Sequence, residues 1–300
     1  MPRTTANAHG IELEYDTFGD PADPTMLLVM GLGAQMTAWP DGLCEAFAGH
    51  GFHVVRFDNR DAGLSSHLDH APQPDLVAIM HGDPSSAPYL ISDMAQDAVW
   101  LLDALGVERA HVVGASLGGM IVQQLTVDHP DRVLSLCSIM SRPGDRASGR
   151  PSPEAGQMLL RPRAQDRAGV VAARVESSRL IGSPDYPEDP AVLRVRHEAS
   201  YDRSYRPDGF ARQFAAVLAS PDRTAGLRGV TVPTLVIHGL ADPLIDHSGG
   251  EATAKAVPGA GLLLLPGMGH DLPQALWPTI ATAVAGNAFS RDGDQTAADA

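Results

Sequence analysis

Serine-based acyl transfer needs a hydroxyl nucleophile, an imidazole base and a carboxylate that orients the base. One serine stands in the right setting for this. Ser116 lies in Gly114-x-Ser116-x-Gly118, between a β-branched run at 111–113 and a helical stretch at 117–129 that Pro130 stops. This is a nucleophile-elbow pattern, in which a strand turns so sharply into a helix that the serine sits at a strained backbone angle with its hydroxyl exposed. Side chains at positions 114 and 118 would collide with the neighbouring strand or helix, and Gly119 extends that tolerance. The helix start also aims unpaired N–H groups at a developing oxyanion. Taken alone the pattern is weak, because a glycine-rich turn without chemistry is spelled the same way. It gains weight from an acid and a histidine that follow it in that order.

Most of the 12 histidines are explained by strand ends, helix ends or a long loop. His270 differs. It follows Leu262-Leu263-Leu264-Leu265-Pro266-Gly267-Met268-Gly269, so it falls on a turn past the carboxyl end of the last strand, the edge of a parallel sheet where sites form. It is the expected base. The orienting acid should come from the equivalent turn one strand earlier, where Asp242 stands in Gly239-Leu240-Ala241-Asp242-Pro243. Asp246 and Asp271 compete, and an aspartate before proline is also an ordinary turn residue. The oxyanion donors are expected to be the backbone N–H groups of Leu117 and Leu32, with Gly33 as the alternative to Leu32. Gly31, Gly33, Trp39, Met120, Phe210, Phe214 and Met268 are expected around the substrate.

These residues need a scaffold. Runs at 26–30, 53–57, 111–113, 133–140, 233–239 and 262–265 read as buried strands, with an alternating strand at 11–18 before them and a hairpin turn at 7–10. Helices are expected at 41–49, 91–105 (Ser92 as cap), 248–257 and 273–285. Strands alternating with helices imply a parallel sheet covered on both faces. Residues 66–89 read as a long loop. From residue 141 the texture changes: 142–153 is rich in Arg, Gly and Pro, and 154–219 read as helices without strands, with helices placed at 168–181, 191–200 and 209–219. Phe210, Phe214, Val217 and Leu218 form a stripe on the last, read either as core packing or as a lid over the site. The expected domains are a core of 1–140 and 230–288, a helical cap at 141–229 and a disordered tail at 289–300.

Three hundred residues with 44% hydrophobic content can build a sizeable core. The formal net charge of −14, with no basic block, argues against nucleic acid and anionic membrane surfaces as partners. No apolar stretch approaches the ~20 residues of a membrane span, and no apolar leader precedes residue 10, so a cytoplasmic monomer or homodimer is expected. Cys44 and Cys137 read as reduced and buried. No zinc spacing, phosphate loop or dinucleotide fingerprint occurs, so no cofactor and no metal is expected; Gly31-x-Gly33 lacks the third glycine and the acid of a dinucleotide site.

The order Ser116, Asp242, His270 resembles that of the α/β-hydrolase superfamily, over about residues 8–287. The segments Gly19-Asp20-Pro21-Ala22-Asp23-Pro24, Leu28-Val29-Met30-Gly31, Asp58-Asn59-Arg60-Asp61-Ala62-Gly63-Leu64-Ser65 and Pro266-Gly267-Met268-Gly269-His270-Asp271-Leu272-Pro273 look like those of aclacinomycin methylesterases and mycobacterial LipG-type carboxylesterases. Met30-Gly31 stands where the superfamily commonly has His-Gly, a departure that leaves the triad untouched. The resemblance implies an α/β-hydrolase fold with a mostly parallel eight-stranded sheet and a helical cap. It also implies a cofactor-independent serine esterase acting on a small-molecule ester: a methyl ester, or one with a bulky apolar or aromatic acyl part. A thioesterase, phospholipase or lactonase would use the same triad. A non-catalytic ligand-binding protein on the same scaffold is the rival of another class.

Overall fold

The computed structural model describes residues 3–5 and 10–290. Eight strands form one sheet: β1 (Arg3–Thr5), β2 (Glu12–Phe18), β3 (Thr25–Val29), β4 (His53–Phe57), β5 (Ala110–Ala115), β6 (Val133–Ile139), β7 (Thr234–Gly239) and β8 (Gly261–Leu265). Their spatial order is β1-β2-β4-β3-β5-β6-β7-β8. β1 and β2 pair antiparallel, as do β2 and β4; every pairing from β4 through to β8 is parallel. β3 is apolar from Met26 to Val29 because both faces are covered. In β3 the alternation of side chains feeds two cores: Leu27 and Val29 join one cluster, Met26 and Leu28 the other. The first cluster includes Met94, Leu101, Ile121 and Leu125 from one pair of helices; the second includes Leu43, Phe47, Ile280 and Val284 from another. Each fully buried side chain of this size contributes roughly 1.5–3 kcal/mol.

The covering helices are α1 (Asp41–Gly49), α2 (Leu76–Met80), α3 (Ile91–Ala104), α4 (Leu117–Asp128), α5 (Pro153–Leu160), α6 (Arg167–Ile181), α7 (Pro190–Arg203), α8 (Pro207–Ala219), α9 (Thr224–Leu227), α10 (Ser248–Ala256) and α11 (Trp277–Ala288). Helices α5 to α9 all fall between β6 and β7, with no strand among them. The stretch expected to be a plain loop at 66–89 contains α2, started by the Asp75 carboxylate accepting from Ala78 N–H at 2.9 Å. Helix α5 lies at the start of the stretch read as helical, with bounds that the sequence does not place; Ser152 caps it and proline opens it. Ser92 does not cap α3. Its start is held instead by Asp93, whose carboxylate accepts from Leu90 N–H at 2.7 Å, and by Ser220 Oγ accepting from Ile91 N–H.

Cys44 and Cys137 are buried and unbridged. No helix among the described residues is long and apolar enough to cross a membrane. Most of the expected hairpin turn, at 7–9, lies outside the described residues, as does 291–300 of the expected tail. Phe289 stacks on Phe52, ring centroids 4.9 Å apart.

Candidate active site

β5 delivers Ser116 to the carboxyl edge of the sheet. The residue has φ 57° and ψ −119°, the strained elbow conformation. Close approach makes the flanking glycines obligatory: a Cβ on Gly114 would lie 2.1 Å from the Gly118 carbonyl oxygen, and one on Gly118 would lie 1.9 Å from that of Val29. The elbow is pinned from β6 and the segment after it. Ser116 N–H donates to Ile139 O at 2.9 Å, and Ser141 Oγ donates to Ser116 O at 2.8 Å.

The turns after β7 and β8 bring in the other two residues. Ser116 Oγ lies 2.9 Å from His270 Nε2, and His270 Nδ1 lies 2.7 Å from Asp242 Oδ2. With Nδ1 donating its proton to the carboxylate, the Nε2 lone pair faces the serine hydroxyl. The other Asp242 oxygen accepts from Leu244 N–H and Ile245 N–H at 2.8 and 2.9 Å. Burial alone would push this carboxyl up. The charge of His270, the N–H groups of His238 and His270, and the Ile245 amide outweigh it and hold Asp242 well below the usual carboxylate range. The two competing acids are engaged elsewhere: Asp246 accepts from Ser248 N–H, and Asp271 accepts from Ser183 Oγ.

Leu32 and Leu117 both line the cleft in front of Ser116, and neither N–H is spent on a hydrogen bond among the described residues. Gly33 is different. With φ 65°, its N–H donates to Gln213 Oε1 at 2.8 Å, which removes it as an oxyanion donor. The cleft encloses about 1320 Å³. Gly31, Gly33, Met120, Phe210 and Phe214 line it as expected from the sequence. Trp39 and Met268 do not. The turn Met36–Ala38 rotates Trp39 under α1, where it is fully buried in the second core, while Ala38 and Pro40 face the cleft. Met268 is likewise fully buried there, and its carbonyl accepts from Ala241 N–H at 3.0 Å. Its contribution is to tie the turns bearing Asp242 and His270 together.

Several site residues were missed by reading the chain. Gln213 and Arg212, on α8, are both buried. Gln213 spans from Gly33 N–H to Arg60 O, to which its Nε2 donates at 2.7 Å. Arg212 donates to both oxygens of Asp61, at 2.9 and 2.7 Å; Asp61 itself sits at φ 64° and also accepts from Tyr89 Oη. From α7, Arg203 reaches Asp58 at 2.8 Å and Gln35 Oε1 at 2.6 Å. His238, fully buried on β7, places Nε2 2.8 Å from Ile245 O and 3.4 Å from Asp242 Oδ2. The one available signal was the Asp58-to-Ser65 segment, whose Asp58 and Asp61 turn out to form ion pairs with α7 and α8. No group of residues able to hold a metal ion occurs among the described residues.

The α/β-hydrolase fold model matches residues 24–273. The chain belongs to that family. It is 31% identical to Rhodomycin D methylesterase DauP of Streptomyces sp. strain C5, over 95% of this chain and 97% of that protein. It is equally similar to Rhodomycin D methylesterase DnrP of Streptomyces peucetius, with the same identity and coverage. These are methylesterases, one of the two groups the motifs resemble. Among solved structures, the enol-lactonase from Burkholderia xenovorans aligns with a TM-score of 0.73 at 24% identity, covering 95% of this chain and 99% of that one, a likeness of fold.

Proposed function

We propose that the protein is a cofactor-independent serine hydrolase of carboxylic esters, with Ser116 as nucleophile, His270 as base and Asp242 as the acid that orients it. The observation that carries this reading is the continuous line of hydrogen bonds from Ser116 Oγ through the imidazole to Asp242 at the floor of the cleft. His270 Nε2 takes the hydroxyl proton as Ser116 Oγ attacks the ester carbonyl. The N–H groups of Leu117 and Leu32 receive the oxyanion of the tetrahedral intermediate, each worth about 3 kcal/mol in the transition state. His270 then gives its proton to the leaving alcohol. Water, deprotonated by His270, releases the acid and restores the serine.

Residues 141–229 act in this proposal as a cap over the cleft. The cleft volume exceeds the roughly 300–1,000 Å³ of ordinary small-molecule sites, which favours a bulky apolar or aromatic ester. The methylesterase relatives make a methyl ester of such an acid the substrate to try first. A cytoplasmic location and a monomer or homodimer belong to the same proposal, the buried and unbridged cysteines suiting a reducing compartment.

The test is intact mass after a fluorophosphonate probe, on wild type and Ser116→Ala, alongside hydrolysis of 4-nitrophenyl esters. A single adduct on wild type that vanishes in Ser116→Ala, with turnover lost in parallel, is expected. Labelling that persists in the variant, or turnover that survives it, overturns the assignment.

A further inference from the structure

The cleft is walled on its inserted side by arginine. Residues 141–229 hold fifteen of the 22 Lys and Arg in the chain but only eleven of the 36 Asp and Glu, leaving +4 there against −18 on the remainder. Among the described residues, six of these fifteen have a carboxylate at ion-pair distance. Arg212 pairs with Asp61, Arg203 with Asp58, Arg196 with Glu188 and Arg161 with Glu176. Three that line the cleft do not: among the described residues, none of Arg142, Arg163 and Arg174 has a carboxylate at ion-pair distance, and of these Arg142 turns to its own loop, 3.5 Å from Gly149 O. Arg163 lies over the Phe210 ring, 3.7 Å from its centroid. Arg174 donates to Ser200 Oγ at 3.0 Å and lies 5.7 Å from the Tyr205 ring centroid. The acids that do line the cleft are committed. Asp61 and Glu188 are in the pairs just named, Asp189 caps α7 at Ala191 N–H, and Asp271 takes Ser183 Oγ.

Both guanidinium groups are partly withdrawn from water, and burial lowers both below the ordinary arginine value; for Arg163 the charge of Arg174 adds to this. Two adjacent cations with no anion between them are an unfavourable arrangement that a ligand carboxylate would relieve. Their position is close to the chemistry. The Phe210 ring beneath Arg163 presses on the oxyanion turn, where a Cβ on Gly33 would lie 2.6 Å from it. At the other end of that turn, a Cβ on Gly31 would lie 3.5 Å from Ser116 Oγ.

We propose that the ester turned over here carries a carboxylate at a distance from its scissile bond, bound by Arg163 and Arg174 while the ester carbonyl lies at Ser116. This rests on the serine-hydrolase reading above and specifies its substrate class: an anionic ester with an apolar body.

The experiment measures kcat/KM for matched pairs of 4-nitrophenyl esters, the half-esters of succinate, adipate and suberate against the neutral butyrate, hexanoate and octanoate. Wild type, Arg163→Leu, Arg174→Met and the double variant are compared, each checked first for fluorophosphonate labelling. At least one half-ester is expected to exceed its neutral partner about tenfold or more, chiefly through KM. That ratio should fall toward unity in the variants and in 0.5 M salt. A ratio reports on anion recognition even in a variant whose overall activity has dropped. Should a variant fail to fold, inhibition of hexanoate hydrolysis by free adipate but not by 1-hexanol in wild type supports the proposal, and equal inhibition opposes it. Labelled enzyme with ratios at or below one, or ratios unchanged in the variants, overturns the anion site alone. Wild type that neither labels nor turns over any ester overturns the hydrolase reading and this proposal with it.

Discussion

Gln213 Oε1 accepts the Gly33 N–H at 2.8 Å across a sequence gap of 180 residues. The bond joins helix α8 to the turn that holds the proposed oxyanion donor Leu32. Gly33 can take φ 65° without steric cost, but nothing in its own chemistry holds it there. The glutamine amide does so, and its Nε2 is satisfied by Arg60 O, so the residue acts as a buried brace on the oxyanion turn.

Replacing Gln213 by leucine leaves the Gly33 N–H and the Arg60 carbonyl unpaired and frees the turn to rotate. We expect kcat to fall roughly 10- to 100-fold, the scale of one misplaced oxyanion donor, with KM changed far less. Gln213→Glu keeps the acceptor and should recover part of kcat. Steady-state kinetics on both variants check this; a fall in KM-controlled binding alone, or a glutamate variant no better than leucine, would show that the brace does not reach the chemistry.

Two glycines, Gly118 at the elbow and Gly286 in α11, make opposite predictions. Gly118→Ala places a methyl group 1.9 Å from the backbone oxygen of Val29, inside the sheet, where neither partner can give way. Loss of soluble protein, or a destabilisation above about 3 kcal/mol, is expected. Gly286, within α11, has open space where its Cβ would point. Gly286→Ala should stabilise the fold by about 0.5–1 kcal/mol through helix propensity and a less flexible unfolded chain. Urea titrations of the two variants decide both.

His197 gives the inserted helices a pH dependence. It lines the cleft with Nε2 2.9 Å from Ser178 Oγ; burial, then the charges of Arg196 and Arg174, bring the imidazole down to about 4 from the ordinary 6.5. Between those values the unfolded chain binds the proton and the folded one refuses it. Stability therefore falls as pH drops from about 6.5 toward 4, and the whole difference is gone below 4. His197→Gln removes that titration. The loss of unfolding free energy between pH 7 and pH 4.5 should be smaller in the variant by about 1–3 kcal/mol. Equal losses in the two proteins would show that the imidazole is not held neutral.

What could be read from the chain was what local pattern encodes. The elbow glycines, the apolar strands and the turns bearing Asp242 and His270 each carry their reason within a few residues. Strand β4 and helix α1 even begin and end where the hydrophobic pattern says. The anchoring of the insertion was not legible. Arg212 and Gln213 lie between Phe210 and Phe214, and a helical pattern assigns such polar residues to water unless their partners, Asp61 and Gly33, are known. Trp39 and Met268 failed for a related reason. An apolar residue on a loop near the site can face the cleft or the core, and only packing distinguishes the two. Ser92 has no cap role because it lies inside α3, whose N-cap is Leu90, the residue whose N–H Asp93 accepts.

The turn bearing His270 is gripped by the end of α6. His270 N–H donates to Ile181 O at 2.7 Å, Gly269 N–H donates to Ser183 Oγ at 2.9 Å, and a Cβ on Gly269 would lie 2.3 Å from Gly182 O. The proposed base is thus seated on backbone from the end of α6, and the helices between β6 and β7 are not an interchangeable module. A chimera that grafts these helices from one relative onto another must carry 181–183 and 267–271 together as one unit of exchange, because each half supplies the mould in which the other sets.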